Sequence, residues 1–184
     1  WLVNGLRFAD DLKKHPEILD EQVDDPLIIL GMSRVGSTKL QRLLAADPDT
    51  LCIRHWESLN PSRMPKAVEG EEDPRIGIDR EIIDAMIKNN LGLMQSHSVK
   101  VDDAEECIFV QLPTFKTTGH SWVLPVPNYY EWVRSQSLHG SYEFLKQMLQ
   151  YLQWQKGGRP SANGDRRWIL KTPPHIGNMD LLVD

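Results

Sequence analysis

An apolar run that leads directly into a glycine-bracketed loop constrains the fold of this chain more than any other feature. Residues 27–30 (Leu-Ile-Ile-Leu) have the pattern of a buried strand, and Gly31 and Gly36 enclose the loop that follows. Glycine permits backbone conformations and close approaches that a Cβ would block, so successive N–H groups can converge on an anion. A helix beginning near Ser37 adds the positive end of its dipole. The segment therefore predicts a β-loop-α unit that binds a phosphate or a similar oxyanion.

The loop departs from the nucleotide-binding motif G-x-x-x-x-G-K-[ST] at one position. Its glycines have the spacing of that motif, but Ser37 stands where the lysine is needed. Arg34 is then the cation nearest a bound phosphate, and its planar guanidinium suits bidentate contact with an oxyanion. No apolar run ends in an aspartate placed to hold magnesium for triphosphate hydrolysis. A nucleotide kinase or NTPase-like protein is therefore disfavoured and stays as an alternative, together with a non-catalytic nucleotide-binding protein and a plain strand-to-helix turn.

Five segments spread over nearly the whole chain carry a resemblance to one family. They are residues 14–18 (KHPEI), 34–38 (RVGST), 43–48 (LLAADP), 55–61 (HWESLNP) and 168–175 (WILKTPPH). In order and rough spacing they resemble the bacterial sulfotransferases, whose 5′-phosphosulfate loop commonly reads R-S-G-T-T. The resemblance implies sulfuryl transfer from 3′-phosphoadenosine 5′-phosphosulfate (PAPS) to a hydroxyl or amine of a small-molecule or glycan acceptor, without a metal. It also implies that the residues gripping the 3′-phosphate of the donor lie beyond Asp184, so the sequence reads as a piece of a longer enzyme.

The resemblance assigns the 5′-phosphosulfate of the donor to the loop and to the first turn of the next helix. Val35 replaces a small serine of the family pattern and removes a possible hydroxyl contact, and Lys39 replaces a leucine. Both exceptions leave the backbone donors in place. The expected donor-binding residues are Arg34, Val35, Gly36, Ser37, Thr38 and Lys39.

Three residues are candidates for the catalytic groups. By resemblance, Lys171 approaches the bridging oxygen of the donor and Glu57 accepts the proton of the acceptor. A glutamate with its ordinary pKa of about 4.3 is ionised at neutral pH and can act as such a base. A structural role, as a helix cap or in a pair with Arg54, is the alternative for Glu57. His55 is the second candidate base, because the ordinary pKa of histidine suits proton transfer.

The strand ends are expected to bring the charged groups together. Open α/β sheets bind ligands beyond the carboxyl ends of their strands. Arg34, Glu57 and Lys171 each follow a predicted strand by a few residues. We therefore expect these three side chains to meet above one edge of the sheet.

Strands that alternate with helices predict an α/β fold, a P-loop-like three-layer sandwich with a central parallel sheet and helical insertions on the acceptor side. The predicted strands cover residues 26–30, 51–53 and 168–170. The predicted helices cover residues 1–14, 38–46, 75–94, 103–111 and 139–155, the fourth capped by Asp102 or Asp103, and residues 61–75 and 157–165 are expected to be a loop and a turn. A single domain over residues 1–184 then divides into an N-terminal helix (1–25), the loop and second strand (26–60), a helical insertion (61–165), and the third strand with its following helix (166–184).

The composition excludes several classes of protein. With 184 residues and 40% apolar content, the chain suits one compact core. A net charge of −5 argues against nucleic acid as a partner. Cys52 and Cys107 are isolated, and no His or Cys pair has metal-ligand spacing. No apolar run reaches the roughly 18 residues that a membrane span needs, and a cytoplasmic location is expected.

Overall fold

A parallel sheet of three strands lies at the centre of the computed structural model, which describes residues 1–65, 70–89, 99–122, 124–161 and 164–183. The strands are β1 (Leu27–Ile29), β2 (Thr50–Leu51) and β5 (Arg167–Lys171), in the spatial order β1-β5-β2. A separate antiparallel pair joins β3 (Pro160–Ser161) to β4 (Gly164–Asp165). The predicted α/β class with a central parallel sheet is confirmed.

Helices supply most of the remaining structure. The α-helices of the described ranges are α1 (Leu2–Lys14), α2 (Ser37–Leu44), α3 (His55–Leu59), α4 (Pro74–Asn89), α5 (Cys107–Gln111), α6 (Pro127–Arg134), α7 (His139–Gln155) and α8 (Asp180–Val183). Short 3₁₀ helices cover Pro16–Asp20, Leu112–Thr114, Thr118–Trp122 and Pro173–Gly177. Within these ranges, no helix combines the length and the apolar character of a membrane span.

The helix expected over residues 103–111 is shorter than predicted, because its first residues pair with the segment that follows β2. The backbone of residues 103–105 runs antiparallel to residues 53–55, with an isolated bridge between Arg54 and Ala104. Glu105 N–H donates to the Ile53 carbonyl at 2.8 Å. The prediction that Asp102 or Asp103 caps the helix is therefore wrong, since Glu106 holds the N-cap position and the Asp103 carboxylate accepts the N–H of Lys100 at 2.8 Å. The helix begins only at Cys107.

The other predicted elements differ from the observed ones mainly at their ends. The helix predicted over 139–155 matches α7, and the first helix ends at Lys14, ahead of Pro16. The turn expected over 157–165 contains the short strands β3 and β4, with residues 162–163 outside the described residues. The helix predicted over 75–94 is observed as Pro74–Asn89, and its remaining positions lie outside the described residues, as do residues 66–69 of the expected loop.

The main core lies between α7 and the sheet. Leu145, Met148 and Leu152 of α7 are buried in one cluster with Trp168 and Leu170 of β5. The indole N–H of Trp168 donates to Oε1 of Gln153 at 2.9 Å, so the polar atom of this buried ring is satisfied. Removal of a buried leucine from such a core costs roughly 2–5 kcal/mol of stability. The packing fixes β5 and therefore the residues that follow it.

The register of the sheet places the strand ends at one edge. Ile29 at the end of β1 pairs with Lys171 at the end of β5. The glycine loop leaves β1 next to this position and leads into α2, which packs against β5. The parallel arrangement therefore brings the loop and Lys171 together, as expected for a ligand site at the carboxyl edge of an α/β sheet.

Candidate functional site

The backbone of the glycine loop leads directly into the N-terminus of α2. Arg34 and Gly36 adopt left-handed conformations with φ of 69° and 85°. Gly36 occupies the N-cap position of α2, and no side chain caps this end. Val35 and Lys39 are exposed, whereas Ser37 is buried at the start of the helix. Because the first amides of an α-helix have no acceptor within the helix, this end is suited to an anionic group.

Lys171 is the side chain that meets the loop from the sheet. It is only 3% exposed, and its Nζ donates to Oγ1 of Thr38 at 3.2 Å. It also forms a buried ion pair with Glu106. Of the expected site residues, the structure thus brings Lys171 and Thr38 into direct contact at the N-terminus of α2.

Glu106 is a site residue that the sequence reasoning missed. Its side chain joins Lys171 through Oε1, and its Oε2 accepts the hydroxyl of Thr172 at 3.0 Å. Glu106 directly follows the paired residues 103–105 and occupies the N-cap position of α5. A signal was present in the adjacent acids Glu105 and Glu106 ahead of an apolar run. The prediction of a single helix over residues 103–111 hid it.

Glu57 does not meet Lys171, in contrast to the expected convergence. It is 2% exposed, and its Oε2 accepts the backbone N–H of Arg54 at 2.8 Å, which is the capping contact of α3. Its other oxygen forms an ion pair with Lys156. The carbonyl of Lys156 accepts from the guanidinium of Arg166 at 3.0 Å, and Arg166 directly precedes β5. Both contacts agree with the structural alternative for Glu57, with the backbone of Arg54 as the partner.

His55 is oriented by a buried carboxylate. Its Nδ1 lies 3.0 and 2.9 Å from the two carboxylate oxygens of Asp79, and both side chains are buried. Asp79 belongs to α4, which packs against α3. When Nδ1 carries the proton that this carboxylate accepts, Nε2 is the ring nitrogen left to accept a second proton. The sequence suggested His55 as a base but gave no sign of its partner.

Burial suppresses the ionisation of two groups close to the site. Desolvation raises the pKa of the Cys107 thiol to about 12, so this cysteine stays protonated at neutral pH. Desolvation also lowers the pKa of His175 to about 4, and its Nδ1 lies 3.0 Å from the hydroxyl of Tyr142. In the described part of the chain, no group of three His, Cys, Asp or Glu side chains is arranged to hold a metal ion.

Two solved structures share this fold. Sulfotransferase STF1 from Mycobacterium tuberculosis H37Rv matches with a TM-score of 0.78 and 24% identity, over 99% of this chain and 48% of that protein. Sulfotransferase STF9 from Mycobacterium avium matches with a TM-score of 0.74 and 31% identity, over 97% of this chain and 44% of that protein. The chain therefore spans about half the length of each of these proteins.

The sequence itself matches a family model. No curated protein sequence matches the chain. The model described as the sulfotransferase family matches residues 26–184, from the first residue before β1 through the glycine loop and Lys171. This match covers most of the chain and contains the whole sheet edge described above. The chain belongs to the sulfotransferase family.

Proposed function

We propose that this chain binds PAPS and takes part in the transfer of its sulfuryl group to a hydroxyl or amine. The observation that carries the proposal is the contact between Lys171 and Thr38, 3.2 Å long, where an open glycine loop enters α2. Backbone amides and the helix dipole at this end suit an anion without a lysine inside the loop. Lys171, at the end of the neighbouring strand β5, would supply a cation beside the bound anion.

The proposed roles follow the charge that develops during transfer. The acceptor atom attacks sulfur, the bond from sulfur to the bridging oxygen breaks, and adenosine 3′,5′-bisphosphate leaves with the electron pair. Lys171 would stabilise the negative charge on this leaving oxygen. The amides of residues 34–38 and the side chains of Arg34, Ser37 and Thr38 would hold the 5′-phosphosulfate, and Lys39 would add positive charge at the surface.

The acceptor proton needs a base, for which two candidates remain proposals. Glu57 has the position implied by the family resemblance, but its oxygens bind the Arg54 N–H and Lys156. His55 is the first residue of α3, the helix that comes after β2, and its Nδ1 is held by Asp79, which leaves Nε2 free to accept a proton when Nδ1 carries one. This geometry favours His55 over Glu57 as the proton acceptor.

The acceptor and the location of the protein belong to the same proposal. A small molecule or glycan is the expected acceptor class, and the expected location is the cytoplasm. Exposed aromatic side chains are available for apolar or sugar-ring contacts along residues 115–132: Phe115, Trp122, Tyr130 and Trp132.

Calorimetric titration of the full-length protein tests the proposal. We expect PAPS and adenosine 3′,5′-bisphosphate to bind more tightly than magnesium-ATP. Lys171→Met should weaken PAPS binding by roughly tenfold or more, because it removes a buried charge beside the loop. The matched control is Lys146→Met on the exposed face of α7, which should leave binding unchanged. Preference for magnesium-ATP would favour the kinase or NTPase alternative and contradict the proposal.

A further inference from the structure

We propose that Glu106 is a positioning residue, which holds the ammonium group of Lys171 against Thr38 in the direction that the donor requires. The inference rests on the proposed function, because it concerns the same donor site. It adds a carboxylate that the family pattern quoted above does not contain.

Each oxygen of the Glu106 carboxylate has a partner of its own. One carboxylate oxygen binds Lys171, and the other accepts the hydroxyl of Thr172 at 3.0 Å. The backbone N–H of Glu106 donates to Oε1 of the preceding Glu105 at 2.8 Å. Both oxygens of Glu106 are thus engaged, and the side chain is held from two sides at 8% exposure.

The backbone of this segment is itself fixed to the residues that follow β2 and to α2. Glu105 N–H binds the Ile53 carbonyl, and Gln41 of α2 donates from Nε2 to the Glu105 carbonyl at 3.0 Å. The Gln41 side chain is buried, and α2 is the helix that begins at the glycine loop. The carboxylate of Glu106 is therefore anchored to the same framework that sets the loop.

The donor count of the lysine explains what this anchoring achieves. An ammonium group has three N–H donors in a tetrahedral arrangement. Two of these bonds go to Glu106 and Thr38, and together they fix the direction of the third. A flexible four-carbon side chain is otherwise free to rotate, so the two partners pre-order it for an anion in the loop. Glu106 thus acts on the donor through Lys171.

A carboxylate next to an anion site has a cost, which provides the test. With Lys171 present, the ammonium group balances the charge of the Glu106 carboxylate, and this carboxylate orders the lysine side chain. Without Lys171, Glu106 becomes a buried carboxylate with no ammonium partner, and it repels the donor. The sign of the effect of Glu106 on donor binding should therefore depend on Lys171.

A double-mutant cycle measures this dependence by calorimetric titration with PAPS. We expect Glu106→Gln to weaken PAPS binding roughly tenfold in the unaltered chain, as removal of a residue that orients a binding group does. In the Lys171→Met background, Glu106→Gln should instead strengthen binding several-fold. Glu106→Asp, which keeps the charge with a shorter reach, should restore part of the affinity. The control is Glu143→Gln, which neutralises an exposed carboxylate on α7 and should change nothing.

The outcomes separate this inference from the proposed function. If the full-length protein without substitutions does not bind PAPS, the proposed function fails. If it binds PAPS and the effects of Glu106→Gln and Lys171→Met are additive, the proposed function stands and the positioning role is overturned. If Glu106→Gln alone does not fold, as judged by circular dichroism, the comparison uses the double variant and Lys171→Met. The double variant removes both charges of the pair and should be better tolerated than Glu106→Gln. Equal PAPS affinities of the double variant and of Lys171→Met would then contradict the inference.

Discussion

At the scale of single residues, Glu57 shows how one carboxylate can satisfy a helix end and a half-buried lysine at once. It accepts the Arg54 N–H at 2.8 Å and pairs with Lys156 while almost fully buried. Glu57→Gln keeps the size and one acceptor but leaves Lys156 without its counter-charge. We expect a loss of roughly 1–3 kcal/mol in the free energy of unfolding, measured by urea denaturation, because a charged partner loses its hydrogen bond. PAPS affinity should change less than about twofold, since no contact joins Glu57 to the loop.

A second substitution separates this structural role from catalysis. Lys156→Met in the Glu57→Gln background should recover part of the lost stability, because it removes the unpaired ammonium. Unchanged stability of Glu57→Gln together with a loss of sulfuryl transfer would contradict the structural role and restore Glu57 as the base.

At the scale of elements, the junction between the glycine loop and α2 determines whether the loop can bind an anion. Gly36 has φ of 85°, and a Cβ added there meets no atom within 4 Å, so the backbone conformation alone opposes a side chain. We expect Gly36→Ala to lower the free energy of unfolding by about 1–2 kcal/mol. The same change should weaken PAPS binding, because relief of the strain moves the first amides of the helix. Calorimetry and urea denaturation on one sample measure both effects.

Gly140 in the first turn of α7 provides the matched control for the element. Its surroundings are also open, but its backbone is helical. Gly140→Ala should raise the free energy of unfolding by roughly 0.5–1 kcal/mol and leave PAPS binding unchanged. A stabilising effect of Gly36→Ala similar to that of Gly140→Ala would contradict the predicted backbone strain at Gly36→Ala.

At the scale of the whole molecule, the buried His175 makes the fold sensitive to acid. Burial lowers its pKa from 6.5 to about 4, so the unfolded chain binds a proton between these values and the folded chain does not. Stability contributed by the neutral ring is complete above pH 6.5 and is lost as the pH falls toward 4. We expect the free energy of unfolding to drop by about 2 kcal/mol from this group between pH 7 and pH 5.

Urea denaturation of two histidine variants at both pH values checks this contribution. His175→Gln should remove most of the pH-dependent loss relative to the unaltered chain. His139→Gln, at an exposed position on α7, should retain it. A pH dependence that is equal in the unaltered chain and in His175→Gln would rule out His175 as its source.

The sequence by itself determined the local parts of this protein, and the tertiary structure decided which side chains share a site. The strand, the glycine loop and the helix are contiguous, so their pattern predicted the β-loop-α unit and the parallel sheet. The contact between Lys171 and the loop followed from strand ends, because parallel neighbours end at one edge. The oppositely charged partners of Lys171, Glu57 and His55 did not follow from the sequence pattern. Glu106, Lys156 and Asp79 lie far from them in sequence, and pairing over such distances depends on how segments pack, which no local periodicity records.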